Sequence, residues 1–160
     1  MPLFSRLVDF QFTSDEQFML RIGSEQRTGS LYYMGIDPQA PDHNCAPNIG
    51  LARLFRNWIE QLLRPDLPNP IFLPFDFTDE TTQWIACEVS DNIIHLVFGW
   101  AHIEGWAISP SDFSQYVTSL PDFTPDDPTL IQSFYLPRFV NELRHQITCL
   151  TDSSEEGINT

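Results

Sequence analysis

Residues Gln83–Trp106 read QWIACEVSDNIIHLVFGWAHIEGW, and the parsing of this stretch decides the fold. Two runs rich in aliphatic and aromatic residues, Gln83–Val89 and Ile93–Trp100, flank Ser90, Asp91 and Asn92. Short polar residues of this kind accept the backbone of close turns, so the stretch reads as a β-hairpin with a three-residue loop. The second run, IIHLVFGW, is apolar at odd and even positions alike. A strand with that pattern belongs in the middle of a sheet, covered on both faces, with a helix on one of them. Trp106, Ala107 and Ile108 then begin a further strand. AHIEG becomes the connection of a meander, with Gly105 supplying its permissive backbone.

His102 and Glu104 within that connection form H-x-E, half of a zinc-deaminase signature. Such a site needs the His as ligand, the Glu as proton carrier and a downstream P-C-x-x-C to complete the metal sphere. No Pro-Cys pair occurs, and Cys149 is the only cysteine downstream. The spacing therefore favours a hydrated turn bearing His102, Glu104 and Trp106. An exposed Trp with polar neighbours is also what a recognition surface uses.

Towards the N-terminus, Val8, Phe10 and Phe12 alternate with polar residues, as do Phe18, Leu20 and Ile22 with Met19 and Arg21. With the acidic TSDE between them they predict a hairpin. LYYMG (Leu31–Gly35) predicts a third strand from its aromatic content. Residues 37–47, DPQAPDHNCAP, carry three prolines and predict an irregular loop. Asn48 reads as the N-cap of a helix from Asn48 to Arg64, with Leu51, Leu54, Phe55, Trp58 and Leu62 on one face and Pro65 ending it. In IFLPFDF, Ile71, Leu73, Phe75 and Phe77 share a side, and Pro74 places the segment at a sheet edge.

After the meander, Ser109–Asp112 supplies a Ser cap, a Pro and an acid for a short helix carrying Phe113, Tyr116, Val117 and Leu120. Asp127 and Pro128 can start another helix, and Pro137 would interrupt it. Leu130–Leu136 fits one helical turn or a strand. Pro137–Cys149 predicts a terminal helix built on Phe139, Val140, Leu143 and Ile147. The whole is expected to be one α+β domain over residues 1–150, an antiparallel meander from Ile71 to Ile108 with two to three helices. A mobile acidic tail is expected over 151–160.

Composition narrows the class. Hydrophobic residues make up 42% of the 160, too many for a disordered polymer. No leader pattern or long apolar run is present, which leads us to expect a cytoplasmic protein away from membranes. Three widely spaced cysteines without CxxC argue for reduced thiols. The net charge is -14, and all eight bases are Arg. That field repels nucleic-acid phosphate and draws basic partners, although acidity can also serve solubility or high salt.

Further candidate sites follow from residue type. With a three-residue loop, Cys87 falls opposite His95, a pairing that can activate a thiolate. The same face carries Ile85, Val89, Ile93 and Val97, which favours a buried, inert thiol instead. Asp37, Asp42, His43 and Cys45 are metal-ligand types without a zinc spacing. Asp76, Asp79 and Glu80 lie beside Trp84 in FDFTDETTQW, and Asp122, Asp126 and Asp127 surround Phe123. Paired carboxylates could form an acid/base couple or a Ca²⁺ site, but neither cluster follows the D-x-D-x-D-G spacing of a calcium loop, and acids at strand ends are commonly solvated turns. Their alternation with aromatics instead suits an acidic docking face.

No Gly-rich phosphate loop, G-x-S-x-G, H-E-x-x-H or Walker pattern occurs, so no cofactor is implied. The leading expectation is an acidic module that docks on a basic surface of a protein partner, inhibiting it in the manner of immunity or antitoxin proteins. An enzyme using Cys87 and His95 or the carboxylates near Asp76, and a scaffold or oligomerisation domain, are the alternatives.

Overall fold

The computed structural model describes residues 6–35, 46–67 and 69–156 of the chain. β1 (Val8–Phe12) pairs antiparallel with β2 (Gln17–Ile22), Val8 opposite Ile22 and Phe12 opposite Phe18. Alternation turns Val8, Phe18, Leu20 and Ile22 inward, where all four are buried. β3 (Glu25–Ser30) completes a three-stranded sheet. It follows β2 through a two-residue turn in which Gly23 takes a φ of 61°. EQRTGS has no apolar stripe, so turn geometry and pairing, not hydrophobic period, make it a strand. The strand expected at Leu31–Gly35 is absent: Tyr32–Gly35 form a 3-10 turn that buries Met34.

α1 (Pro47–Leu62) starts one residue before the expected cap and ends two before the expected end. Ala46 occupies the N-cap without a side-chain bond, and Pro47 sits in the first turn. Its missing N–H costs nothing there, because first-turn donors have no helical partner. Asn48 is therefore not the cap. Its Nδ2 donates to the Leu150 carbonyl at 3.0 Å, tying the helix to the C-terminal one. The predicted stripe of Leu51, Leu54, Phe55, Trp58 and Leu62 is buried throughout.

A five-stranded sheet follows, with β4 (Ile71–Phe77) at its edge beside β5 (Thr82–Ser90) and β6 (Ile93–Ala101). Pro74 lies on this edge strand as expected, with a register shift between Pro74 and Asp76. Its carbonyl accepts a 2.8 Å hydrogen bond from Trp58 Nε1, which docks α1 on the sheet. At the β5–β6 turn Ser90 pairs with Ile93, so the loop has two residues, not three. Asp91 and Asn92 take φ of 53° and 63°, left-handed values that their short polar side chains tolerate. On β6 the face of Ile94, Leu96 and Phe98 is buried, whereas Ile93, His95 and Val97 are only half-buried. The strand expected to be covered on both faces is thus fully covered on one.

No strand begins at Trp106, since Gly105–Ala107 form a 3-10 turn. The outer edge of β6 pairs instead with two later strands, β7 (Thr124–Pro125) and β8 (Gln132–Tyr135). Between the Gly105–Ala107 turn and β7, α2 (Ser114–Val117) is a single turn in which Asp112, not Ser109, holds the start. The Asp112 carboxylate accepts the Ser114 N–H at 3.1 Å and its hydroxyl at 2.7 Å. Asp127 starts no helix, because its carboxylate closes a turn on the N–H and hydroxyl of Thr129, at 2.9 and 2.7 Å.

α3 (Leu136–Glu156) follows β8 directly, with Pro137 in its first turn and not as an interruption. Phe139, Val140, Leu143 and Ile147 are buried as predicted. The helix continues past residue 150, where the acidic tail was expected, through Glu156. α1 and α3 pack together, and Gln146 Nε2 on α3 donates to the Val8 carbonyl at 3.0 Å. One hydrophobic cluster joins both sheets and the helices, as an α+β single domain requires.

Gly50 marks where α1 meets the Tyr32–Gly35 turn. A Cβ there would stand 1.6 Å from the Met34 carbonyl oxygen. Gly50→Ala is expected to destabilise by about 1–3 kcal/mol through this overlap, against the gain of about 0.5–1 kcal/mol it brings in an open helix. The midpoint of urea unfolding checks the sign.

Candidate functional site

Three connections meet at one end of the five-stranded sheet. The β4–β5 turn is closed by the Thr78 N–H and hydroxyl, both donating to the Thr81 carbonyl at 3.0 and 2.7 Å. The Gly105 N–H donates to the Thr78 carbonyl at 2.7 Å, which brings the Glu104–Ala107 segment against that turn. Only a glycine permits this approach, since a Cβ at position 105 would lie 2.6 Å from the same oxygen. The third connection is the Tyr32–Gly35 turn, anchored by the Tyr33 hydroxyl donating to the Asp79 carboxylate.

This bond, with burial and the charges of Asp79, Tyr32 and Glu104 behind it, pushes the Tyr33 hydroxyl up to about 12. Tyr33 therefore stays protonated and keeps donating at neutral pH. Tyr32 meets the Tyr33 ring edge-on, 4.9 Å between centroids. Tyr32 is 67% exposed and Trp106 63% exposed, with Asp79, Glu80 and Glu104 also at the surface. A pocket of about 280 Å³ lies beside them, lined by Ser30, Tyr32, Tyr33, Phe77, Thr78 and Asp79.

The other residues singled out in FDFTDETTQW lie elsewhere. Asp76 is buried, and its two oxygens accept the Ser30 N–H at 2.7 Å and Gln83 Nε2 at 2.6 Å. It joins the end of β3 to β4 and β5 and offers no docking surface. Burial raises its carboxyl above the usual range, against the lowering effect of these two bonds. Trp84 is also fully buried, with Nε1 donating to Thr82 Oγ1 at 2.6 Å.

The second acid cluster is mostly architectural. Asp126 pairs with Arg27 at 3.1 Å, and that guanidinium also sits 4.6 Å from the Phe98 ring centroid. Phe123 is half-buried, 5.3 Å from the Phe72 ring and against Gly99. The bonds from Thr129 hold the Asp127 carboxyl below its ordinary range. Asp122 is exposed, with a φ of 60° in the turn before β7. His102 is exposed as well, edge-on to Trp100 at 4.7 Å.

The expected Cys87–His95 pair is not formed. The two-residue turn sets Cys87 opposite Leu96 and Glu88 opposite His95, placing the thiol and the imidazole on opposite faces of the sheet. Cys87 is fully buried, and His95 Nδ1 lies 2.7 Å from Ser133 Oγ. Asp37, Asp42, His43 and Cys45 lie outside the described residues. Among the described residues no group of three or more His, Cys, Asp or Glu is placed to hold a metal ion.

Tyr32 and Tyr33 are the site residues that the sequence reading does not single out, because strand propensity accounts for them. A linear signal does exist for the surrounding charge: residues 65–137 contain eleven carboxylates and no Arg or Lys. All eight Arg fall before or after that segment, on the three-stranded-sheet and α1 side or on α3. No family model, curated protein or solved structure matches the chain.

Burial raises the Cys87 thiol far above its ordinary range. It should resist alkylation at neutral pH in the folded protein, while exposed Cys149 reacts. Peptide mapping after iodoacetamide treatment checks both. For Asp76, the folded state holds the proton more tightly than the unfolded chain, so this contribution is present at low pH and lost as pH rises through the raised value. Wild type should therefore gain stability relative to Asp76→Asn between about pH 7 and about pH 4, measured by urea unfolding at each pH.

Proposed function

We propose that this chain is an acidic protein-binding module that presents the Tyr32, Asp79, Glu80, Glu104 and Trp106 end of its larger sheet to a basic surface of a protein partner. The observation that carries this reading is the convergence of two exposed rings and three exposed carboxylates from separate connections, drawn from two stretches, residues 28–52 and 65–137, that carry no Arg or Lys. Exposed aromatics supply contact area at low entropic cost, and fixed carboxylates select a cationic surface. The excess of fourteen negative charges adds long-range attraction for such a partner and repulsion of nucleic acid.

Among the described residues no helix is long and apolar enough to cross a membrane. We place the protein in the cytoplasm, where its thiols stay reduced and where covering a basic partner would neutralise it in the manner of an immunity or antitoxin protein.

Affinity capture from the host lysate, comparing wild type with Asp79→Asn/Glu80→Gln/Glu104→Gln and with Trp106→Ala, tests this. A retained protein should be basic, and its association rate should fall with added salt and in the charge-neutral variant. Trp106→Ala should weaken binding by about tenfold or more. A partner whose on-rate ignores both salt and these substitutions would refute the reading.

A further inference from the structure

We infer that the pocket between the Tyr32–Gly35 turn and the β4–β5 turn receives the guanidinium of an arginine side chain from the partner. This rests on the docking reading above and gives it a specific anchor. At about 280 Å³ the pocket falls just under the roughly 300 Å³ at which small-molecule sites begin, so its scale is that of one inserted side chain.

The lining chemistry selects the occupant. Of the six lining residues Tyr32 and Tyr33 have exposed or half-buried rings, Phe77 is itself fully buried, and Asp79 is a carboxylate. The Tyr32 ring, 67% exposed, packs edge-to-face with Tyr33 at 4.9 Å and so remains available as a surface on which a flat group can stack. The carboxylate is held by the Tyr33 hydroxyl, a bond that occupies one of its acceptor positions and leaves the others open to a ligand. A planar, weakly hydrated cation that stacks on rings and forks onto a carboxylate is a guanidinium. The compact, strongly hydrated lysine ammonium gains less from both walls. A divalent metal ion is a poor fit, because one carboxylate among aromatic rings does not replace its oxygen shell.

The chain itself supplies no competing cation in sequence around the pocket, since residues 28–52 and 65–137 carry neither Arg nor Lys. Arg27, at the border of the first segment, is committed to Glu25 at 2.8 Å and to Asp126 at 3.1 Å. Glu104 adds its charge from the adjoining turn, close enough to act on the Tyr33 hydroxyl.

The test is a titration of the full chain with acetyl-Gly-Arg-Gly-amide, its lysine counterpart and its citrulline counterpart, followed by NMR of backbone amides and tyrosine rings. Citrulline keeps the shape of arginine and removes the charge. Saturable shifts at Tyr32, Tyr33 and Asp79 are expected with the arginine peptide, at several-fold higher concentration with lysine, and not with citrulline over the same range. Tyr32→Ala should weaken the arginine peptide by about two- to fivefold, and Tyr32→Phe, which keeps the ring, should restore it. Asp79→Asn should weaken it further than Tyr32→Ala does. Equal shifts with arginine and citrulline, shifts centred away from these residues, or none at all would overturn the inference. Salt-dependent retention of a basic partner that Glu80→Gln/Glu104→Gln and Trp106→Ala weaken, with no peptide binding, would leave the docking reading and remove the pocket. Peptide binding without any basic partner would do the reverse.

Discussion

The two-residue turn at Asp91 and Asn92 sets the register on which the rest of the molecule depends. Because side chains alternate along a strand, one residue of slip would exchange the two faces of β6 relative to β5. With Ser90 paired to Ile93, Ile85, Cys87, Ile94, Leu96 and Phe98 all reach the buried side. The opposite side keeps Glu88 and His95, polar groups whose burial without partners would cost several kcal/mol. Two short residues in left-handed backbone therefore determine what the hydrophobic core is made of. They also determine that the thiol is sealed inside it.

Joining the two sheets is the second structural task, and polar side chains perform it. Asp76 holds the end of β3 against β4 and β5 through Ser30 and Gln83, and Gln83 also reaches the Thr28 carbonyl at 3.2 Å. Arg27 crosses from β3 to Asp126 beside β7 while lying over Phe98. Apolar contacts alone would allow the sheets to slide, since dispersion has little directional preference. Hydrogen bonds and forked ion pairs fix an orientation. Acids that sequence inspection groups with surface aromatics are here the fasteners of the core.

That difference shows what is legible in a linear chain. Elements with strong periodicity are read well: the first hairpin, the Leu51–Leu62 stripe, the Pro74 edge strand and the terminal helix all follow from apolar spacing. β3 is not legible, because EQRTGS owes its strand to a neighbour's pairing and to Gly23. Nor are β7 and β8 as partners of β6, because edge pairing is long-range and leaves no local pattern. Of the residues named from composition and turn chemistry, Asp79, Glu80, Glu104 and Trp106 are exposed. Asp76 and Trp84 are misplaced because alternation tells which residues share a side, not which side faces water. The meeting of Tyr33 with Asp79, forty-six positions apart, is a tertiary fact.

The segregation of arginines away from residues 65–137 gives the molecule an electrical polarity as well as a net charge. The first hairpin, β3, α1 and α3 contribute charges of both signs, while the strands and connections of the larger sheet contribute carboxylates and no Arg or Lys. An uneven distribution of charge experiences a torque in an external field. Under the docking reading, a cationic body within the ~8 Å screening length of physiological salt would turn the carboxylate-rich end towards itself before contact. Orientation is then partly chosen during approach, so fewer collisions are wasted on the wrong side of the molecule.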